Sequence, residues 1–207
     1  MSGSFDVDKL YAAASTAELI GEYDRVAGAY DSALLDGHAW CAPRIVAHVA
    51  AWLLPRDSRV LDAACGTGLV GDVLRELGFD ALHGLDLSAG MLEVARAKGT
   101  YAATTLAALG DPLPFADGAF DAFTVCGAFT PRHAPPASLA ELVRVTRPGG
   151  YAIFTLRADD PAPGFDEAIA ALTGAGRWRL LQVGTDFQSL PKAEPHVRNR
   201  IHVYVVG

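Results

Sequence analysis

The stretch Asp62-Ala63-Ala64-Cys65-Gly66-Thr67-Gly68 constrains the fold of this chain more than any other. It follows the apolar pair Val60-Leu61 and precedes a helix-like run from Leu69 to Leu77, so it predicts a strand, a glycine turn and a helix in succession. Gly66 and Gly68 carry no Cβ, which lets the backbone turn sharply and lets a ligand come close to it. The N–H groups that open the helix then point at that ligand. A second acid, Asp86, ends the next strand-like segment, Leu82-His83-Gly84-Leu85. A carboxylate there can accept both hydroxyl hydrogens of a ribose.

Two cofactors of opposite charge fit such a turn. Gly66-Thr67-Gly68-Leu69-Val70-Gly71 satisfies G-x-G-x-x-G, so a nicotinamide-dependent oxidoreductase is a rival reading. Asp62 separates the two. A carboxylate ~7 Å from a dinucleotide's phosphate charge costs roughly 2 kcal/mol at an effective dielectric of about 20. S-adenosylmethionine carries no phosphate, and its amino group and sulfonium are cationic, so an acid at the loop suits it.

Composition narrows the setting. The chain has 207 residues, 51% hydrophobic and 20% charged, which is enough for a large globular core. Its net charge of −7 argues against nucleic acid as an obligatory partner, because phosphate contacts need clustered Lys and Arg. Cys41, Cys65 and Cys126 are odd in number and form no C-x-x-C pair, so neither a metal site nor a disulfide framework is expected. No apolar run approaches membrane-spanning length, and Met1 to Asp6 lacks the basic and apolar regions of a signal peptide. The expected location is the cytoplasm, without a membrane partner.

Helical and strand-like segments alternate from Arg59 to Arg157, which predicts a parallel sheet with helices on both faces. Strands are expected near 58–63, 80–86, 101–108, 119–126 and 150–157, and helices near 68–77, 88–98 and 135–147. Two amphipathic helical segments, near 6–35 and 38–54, precede the sheet, and a helix near 163–175 follows it. Trp178 to Phe187 and Arg200 to Val206 alternate β-branched and aromatic residues with no helix between them, as an antiparallel pair at the sheet edge would. Glu141 and Arg144 are spaced as a solvent-facing pair on one helix.

Taken together these residues resemble class I S-adenosylmethionine-dependent methyltransferases. Val60 to Gly68 resembles motif I, and Gly84-Leu85-Asp86-Leu87-Ser88 with Met91-Leu92-Glu93-Val94-Ala95 resembles motif II. Leu113-Pro114-Phe115, Asp117, Phe120-Asp121 and the turn Arg147-Pro148-Gly149-Gly150 continue the pattern. Tyr23-Asp24 and Tyr30-Asp31 resemble the Tyr-Asp segments ahead of the core in many small-molecule methyltransferases. The run from Ala107 to Arg157 is similar to the methyltransferase-like proteins of the Williams–Beuren syndrome region type.

The resemblance implies an α/β, Rossmann-like, doubly wound sheet of seven strands, mostly parallel, with the last strand antiparallel and helices on both faces. It implies one domain over 1–207, with N-terminal helices and a lid in 1–54 and the core sheet in 55–207. It implies S-adenosylmethionine as cofactor and S-adenosylhomocysteine as product. On this sequence the turn of Asp62, Ala64, Gly66, Thr67 and Gly68 would approach the methionyl part. Asp86 would bind the ribose, Leu87 and Met91 would pack on the adenine, and Ala108 and Leu109 would border it. Cys126 and Gly127 would lie beside the sulfonium, and Tyr23 and Tyr30 would close over the methionyl group.

Two positions depart from the family pattern. Ala64 stands where many members have glycine, a change of one methyl group. Ala108 stands where relatives often have an acid that accepts from the adenine amino group. Losing such a bond costs about 1.5–3 kcal/mol, so weaker cofactor binding is expected unless Asp111 or a water compensates. Methyl transfer needs a base only if the acceptor must lose a proton. His133 is the leading candidate, after the fourth strand, ahead of His38 and His196. The implied acceptor is a small molecule, and the implied assembly a monomer or homodimer. A protein acceptor, and a cofactor-binding protein without transferase activity, remain open at this point.

Overall fold

The computed structural model describes residues 15–130 and 133–207. The part of the first expected helix before residue 15 lies outside them. In chain order the elements are α1 (Thr16–Ser32), a short π-helical turn (Ala33–Gly37), α2 (Ala42–Leu53), β1 (Val60–Ala63), α3 (Leu69–Glu76), β2 (Leu82–Asp86), α4 (Ala89–Lys98) and β3 (Ala103–Leu106). There follow β4 (Phe120–Val125), α5 (Ser138–Val145), β5 (Thr146–Arg157), α6 (Phe165–Gly174), β6 (Trp178–Val183), β7 (Phe187–Leu190) and β8 (Glu194–Val206).

The strands form one sheet in the order β3-β2-β1-β4-β5-β8-β6, with β7 paired to β8 off that path. β3, β2, β1, β4 and β5 run parallel, and β8 runs antiparallel to β5, β6 and β7. The expected doubly wound sheet with an antiparallel last strand is therefore present, with eight strands rather than seven. The extra strand comes from the segment expected to run unbroken from Trp178 to Phe187. Its pairing with β8 ends at Val183, and Phe187–Leu190 then hairpins onto β8 through Pro191 to Ala193.

β1 is buried along its whole length because helices cover both faces of the sheet. One face packs Val46, Ala47 and Ala50 of α2 and Val70, Val73 and Leu74 of α3 against Val60, Leu82 and Ile153. The other packs Leu139, Leu142 and Val143 of α5 and Phe165 of α6 against Leu61, Phe123 and Phe154. In both α3 and α5 the buried residues recur at three- and four-residue steps, which puts them on one stripe. α1 stands apart from these layers and packs Val26 and Ala27 on Met91 of α4.

The pair Glu141–Arg144 does more than face solvent. Glu141 accepts the Leu113 N–H at 2.8 Å, and Arg144 donates to the carbonyls of Leu113 at 3.0 Å and Phe115 at 2.8 Å. The Leu113-Pro114-Phe115 segment has no strand neighbour to satisfy these backbone groups, and two side chains of α5 supply partners instead.

Candidate active site

β1 and β2 lie side by side in parallel register and end together, with Ala63 opposite Leu85. Their C-terminal ends deliver the glycine loop and Asp86 to one edge of the sheet, beside β4, where the strand order reverses. The loop turns through left-handed residues: Ala64 at φ 58°, Gly66 at 55° and Gly68 at 97°. A Cβ on Gly66 would meet nothing within 4 Å, so the backbone is open to a ligand there. Ala64 is more than a one-methyl departure, because a left-handed alanine costs about 1–2 kcal/mol that glycine would not.

Asp86 fastens the loop. Its carboxylate accepts the Gly66 N–H at 2.7 Å and the Ser88 N–H at 2.9 Å. A carboxylate has about four acceptor sites, so these two bonds leave capacity for further donors. Burial raises its pKa, and the backbone N–H donors pull it back.

The Tyr-Asp pairs of α1 sit seven residues apart, two helical turns, and so share a face. Tyr23 and Tyr30 meet edge to face at 6.3 Å between ring centroids. The aspartates hold the helix down. Asp24 accepts from the Ser88 hydroxyl at 2.6 Å and the Gly90 N–H at 2.8 Å, at the start of α4. Asp31 accepts from the Thr67 hydroxyl and pairs with Lys98 at 2.5 Å.

Between α1, the glycine loop and the sheet edge lies a cavity of ≈1140 Å³, its open mouth included. Of the residues singled out from sequence, its wall contains Tyr23, Tyr30, Ala64, Gly66, Asp86, Leu87, Met91, Leu109, Cys126, Gly127 and His133. Asp62, Thr67, Gly68 and Ala108 are off this wall. Asp62 is 1% exposed and lies beneath the loop, where Tyr101 and Thr124 donate to it at 2.5 and 2.8 Å. Burial pushes its pKa up to about 6. Thr67 is turned to Asp31, and Gly68 packs toward the Tyr101 ring. Ala108 borders an adjoining cleft that shares Leu87, Leu109 and His133 with the cavity. Asp111 borders the same cleft, because the turn through Gly110 at φ 109° folds it back beside Ala108.

His133 is half-buried, with Nδ1 2.8 Å from the Thr130 hydroxyl and its ring 5.9 Å from that of Tyr23. If Nδ1 donates to Thr130, Nε2 keeps its lone pair and can take a proton. His38 and His196 are not on the cavity wall. Burial drives the thiol pKa of Cys65 and Cys126 well up, so neither supplies a thiolate.

Residues 61–154 match a methyltransferase domain family, Methyltransf_11. The human methyltransferase-like protein 27 is 40% identical over 167 residues, 77% of this chain and 67% of that protein. The chain belongs to the S-adenosylmethionine-dependent methyltransferases. The methyltransferase is also 38% identical over 149 residues to the malonyl-[acyl-carrier protein] O-methyltransferase of Serratia marcescens, spanning 66% of this chain but only 51% of the relative. Among solved structures it superposes on a methyltransferase bound to the Trm112 activator of Haloferax volcanii. The TM-score is 0.66 at 20% identity, covering 89% of this chain and 97% of that one. A TehB-like S-adenosylmethionine-dependent methyltransferase of Corynebacterium glutamicum gives 0.61 at 22% identity, covering 78% and 87%.

The cofactor of this methyltransferase is thus S-adenosylmethionine, and the residues present fit it. The glycine turn is open to a ligand, and a buried carboxylate with unused acceptor sites stands beside it. The far wall of the methyltransferase cavity was not foreseen from sequence. It includes Leu34, Trp40, Arg157, Ser189, Leu190, Val197 and Asn199. Trp40 lies so close to Gly127 that a Cβ there would come within 2.9 Å of its ring. Asn199 donates to the Ser189 hydroxyl at 2.6 Å, and Asp159 pairs with the Arg157 guanidinium. The only sequence signal was indirect: β7 and β8 reach the site from the last strands of the fold. Among the described residues no cluster of His, Cys, Asp and Glu could hold a metal, and no helix is long and apolar enough to cross a membrane.

Proposed function

We propose that this methyltransferase methylates a small molecule held between Trp40 and the β7–β8 hairpin. The supporting observation is the cavity itself. Besides the residues of the cofactor motifs, its wall mixes apolar Leu34, Trp40, Leu190 and Val197 with polar Ser189, Asn199 and Arg157. An acceptor with an apolar body and one polar or anionic group matches such a wall.

When bound, S-adenosylmethionine supplies a methyl group already activated by its sulfonium. In this reading Asp86 accepts the ribose hydroxyls, and Tyr23 and Tyr30 cover the methionyl end and exclude water. Ala108 leaves the adenine amino group to Asp111 on the same cleft. Trp40 and the hairpin hold the acceptor so that its nucleophile faces the methyl carbon, which is where most of the rate gain arises. His133 takes the acceptor's proton on Nε2, with Thr130 fixing the ring tautomer.

The test is methyl transfer from labelled cofactor to a panel of small acceptors, with His133→Gln beside the wild type. The variant should keep S-adenosylhomocysteine affinity within about threefold while kcat falls roughly 100-fold for an acceptor that must lose a proton. An unchanged kcat removes His133 from the chemistry. Label found only in polypeptide acceptors overturns the small-molecule reading.

A further inference from the structure

Under the glycine loop lies a buried group that the transfer chemistry does not itself require. Tyr101, between α4 and β3, donates its hydroxyl to Asp62 Oδ2 at 2.5 Å, and Thr124 on β4 donates to Oδ1 at 2.8 Å. The Gly71 N–H, in the first turn of α3, also acts to lower the pKa of this carboxylate. The Tyr101 ring fills a slot made by missing side chains. A Cβ on Gly68, Gly71 or Gly84 would stand 3.2, 2.6 or 2.9 Å from its atoms. One aromatic ring thus packs on the loop, on α3 and on β2, while its hydroxyl meets the acid within β1.

We propose that Tyr101 is a positioning residue for the cofactor: by donating to Asp62 it keeps an anion under the glycine loop, and that anion makes the site prefer cationic S-adenosylmethionine over S-adenosylhomocysteine. Asp62 acts at a distance, through its field, since it is not on the cavity wall. That field reaches Cys126, which is on the wall. A carboxylate ~8 Å from a sulfonium changes affinity by tenfold or more at an effective dielectric of about 20.

The preference depends on pH because burial raises Asp62 toward the working range, to about 6. The hydrogen bonds from Tyr101 and Thr124 and the Gly71 N–H lower it, and the charge of Asp86 at the end of β2 raises it. Cys65 in the loop, Cys126 at the end of β4 and Tyr101 itself also face Asp62, and their own pKa values are driven up, so they stay neutral. Asp72 on α3 acts on Tyr101. The sign is fixed: protonated Asp62 gives no preference, and ionised Asp62 gives one.

The experiment measures Kd for S-adenosylmethionine and S-adenosylhomocysteine by calorimetry from pH 5 to 8.5 and follows their ratio. Both ligands carry the same amino and carboxyl groups, but the sulfonium lowers the pKa of its own ligand's amino group, so the ratio is read below about pH 7, where both amino groups are protonated. In wild type the preference for the sulfonium should rise about tenfold as pH passes through the Asp62 transition. Tyr101→Phe keeps the ring in its slot and removes one donor, so the rise should move upward by about one pH unit. A purely structural role would weaken both ligands alike and leave the ratio's profile where it was. Thr124→Val removes a donor to the other oxygen and should shift the profile the same way. It carries the test if Tyr101→Phe does not fold. A ratio flat with pH in wild type, or an unshifted profile in the variant that folds, overturns the proposal.

Discussion

At Gly71 a single methyl group has two opposed effects. The residue sits inside α3, where alanine would favour the helix by about 1 kcal/mol. The new Cβ would also stand 2.6 Å from the Tyr101 ring, which Gly68 and Gly84 already confine. Overpacking of this kind costs about 1–3 kcal/mol, and displacing the ring endangers the bond to Asp62 as well. Gly71→Ala should therefore destabilise the protein by about 2 kcal/mol, read as a lower urea midpoint. A gain in stability would show that the ring yields freely. The sequence displayed Gly71 only as the last letter of a dinucleotide pattern. Its partner, Tyr101, lies thirty residues away in a segment with no motif, so the steric reason for that glycine was not legible. Asp62 was legible as an acid at the right place, but not as a buried one. The strand ahead of it does not say which neighbours carry hydroxyls.

For the elements, the consequential one is α1. The two Tyr-Asp pairs announced a lid, and their seven-residue spacing placed the tyrosines on one face. What fastens the helix could not be read, because Ser88 and Gly90 lie more than sixty residues from Asp24. Asp24→Ala would remove two hydrogen bonds that join α1 to the start of α4. The expected result is a loss of roughly tenfold in S-adenosylhomocysteine affinity. Faster amide exchange over residues 16–32 should accompany it, with exchange in β1 and β4 unaltered. Unchanged affinity would mean that the Val26, Ala27 and Met91 contact holds α1 without its polar anchor. The hairpin of β7 and β8 shows a different limit. Alternation of side chains revealed strands near the end of the sequence, but not the break that separates β6 from β7, since nothing in the alternation marks where ladder pairing stops.

Across the whole molecule, the parallel sheet and its antiparallel last strand followed from the alternation of elements and the resemblance, because helices covering both faces leave few alternatives. Stability against pH depends on groups that composition conceals. His202 on β8 stacks on Phe154 at 5.5 Å, and burial lowers its pKa to about 4. The unfolded ring titrates near 6.5, so the stability it contributes is present above about pH 6.5 and is lost as pH falls toward 4. Asp62 works the other way: its contribution is present below about pH 4 and is lost as pH rises through about 6. His202→Phe keeps a ring on Phe154 and removes the titration. Relative to wild type it should gain about 1–2 kcal/mol between pH 7.5 and pH 5, allowing for the solvent that reaches the histidine. Paired urea melts at the two pH values measure this, and equal changes in both proteins would clear His202 of the role.

The placement of β8 between β5 and β6 has a consequence for how the molecule is made. Among the described residues, 194–206 supply the only ladder partner of β6, and Val197 and Asn199 join Tyr23 and Tyr30 in the cavity wall. During synthesis the parallel half of the sheet can assemble while these residues are still inside the ribosome, leaving one edge of β5 bare. A nascent chain of this protein must therefore wait for its last strand before it can shelter that edge or enclose a ligand. The step that completes the sheet is also the step that completes the binding chamber.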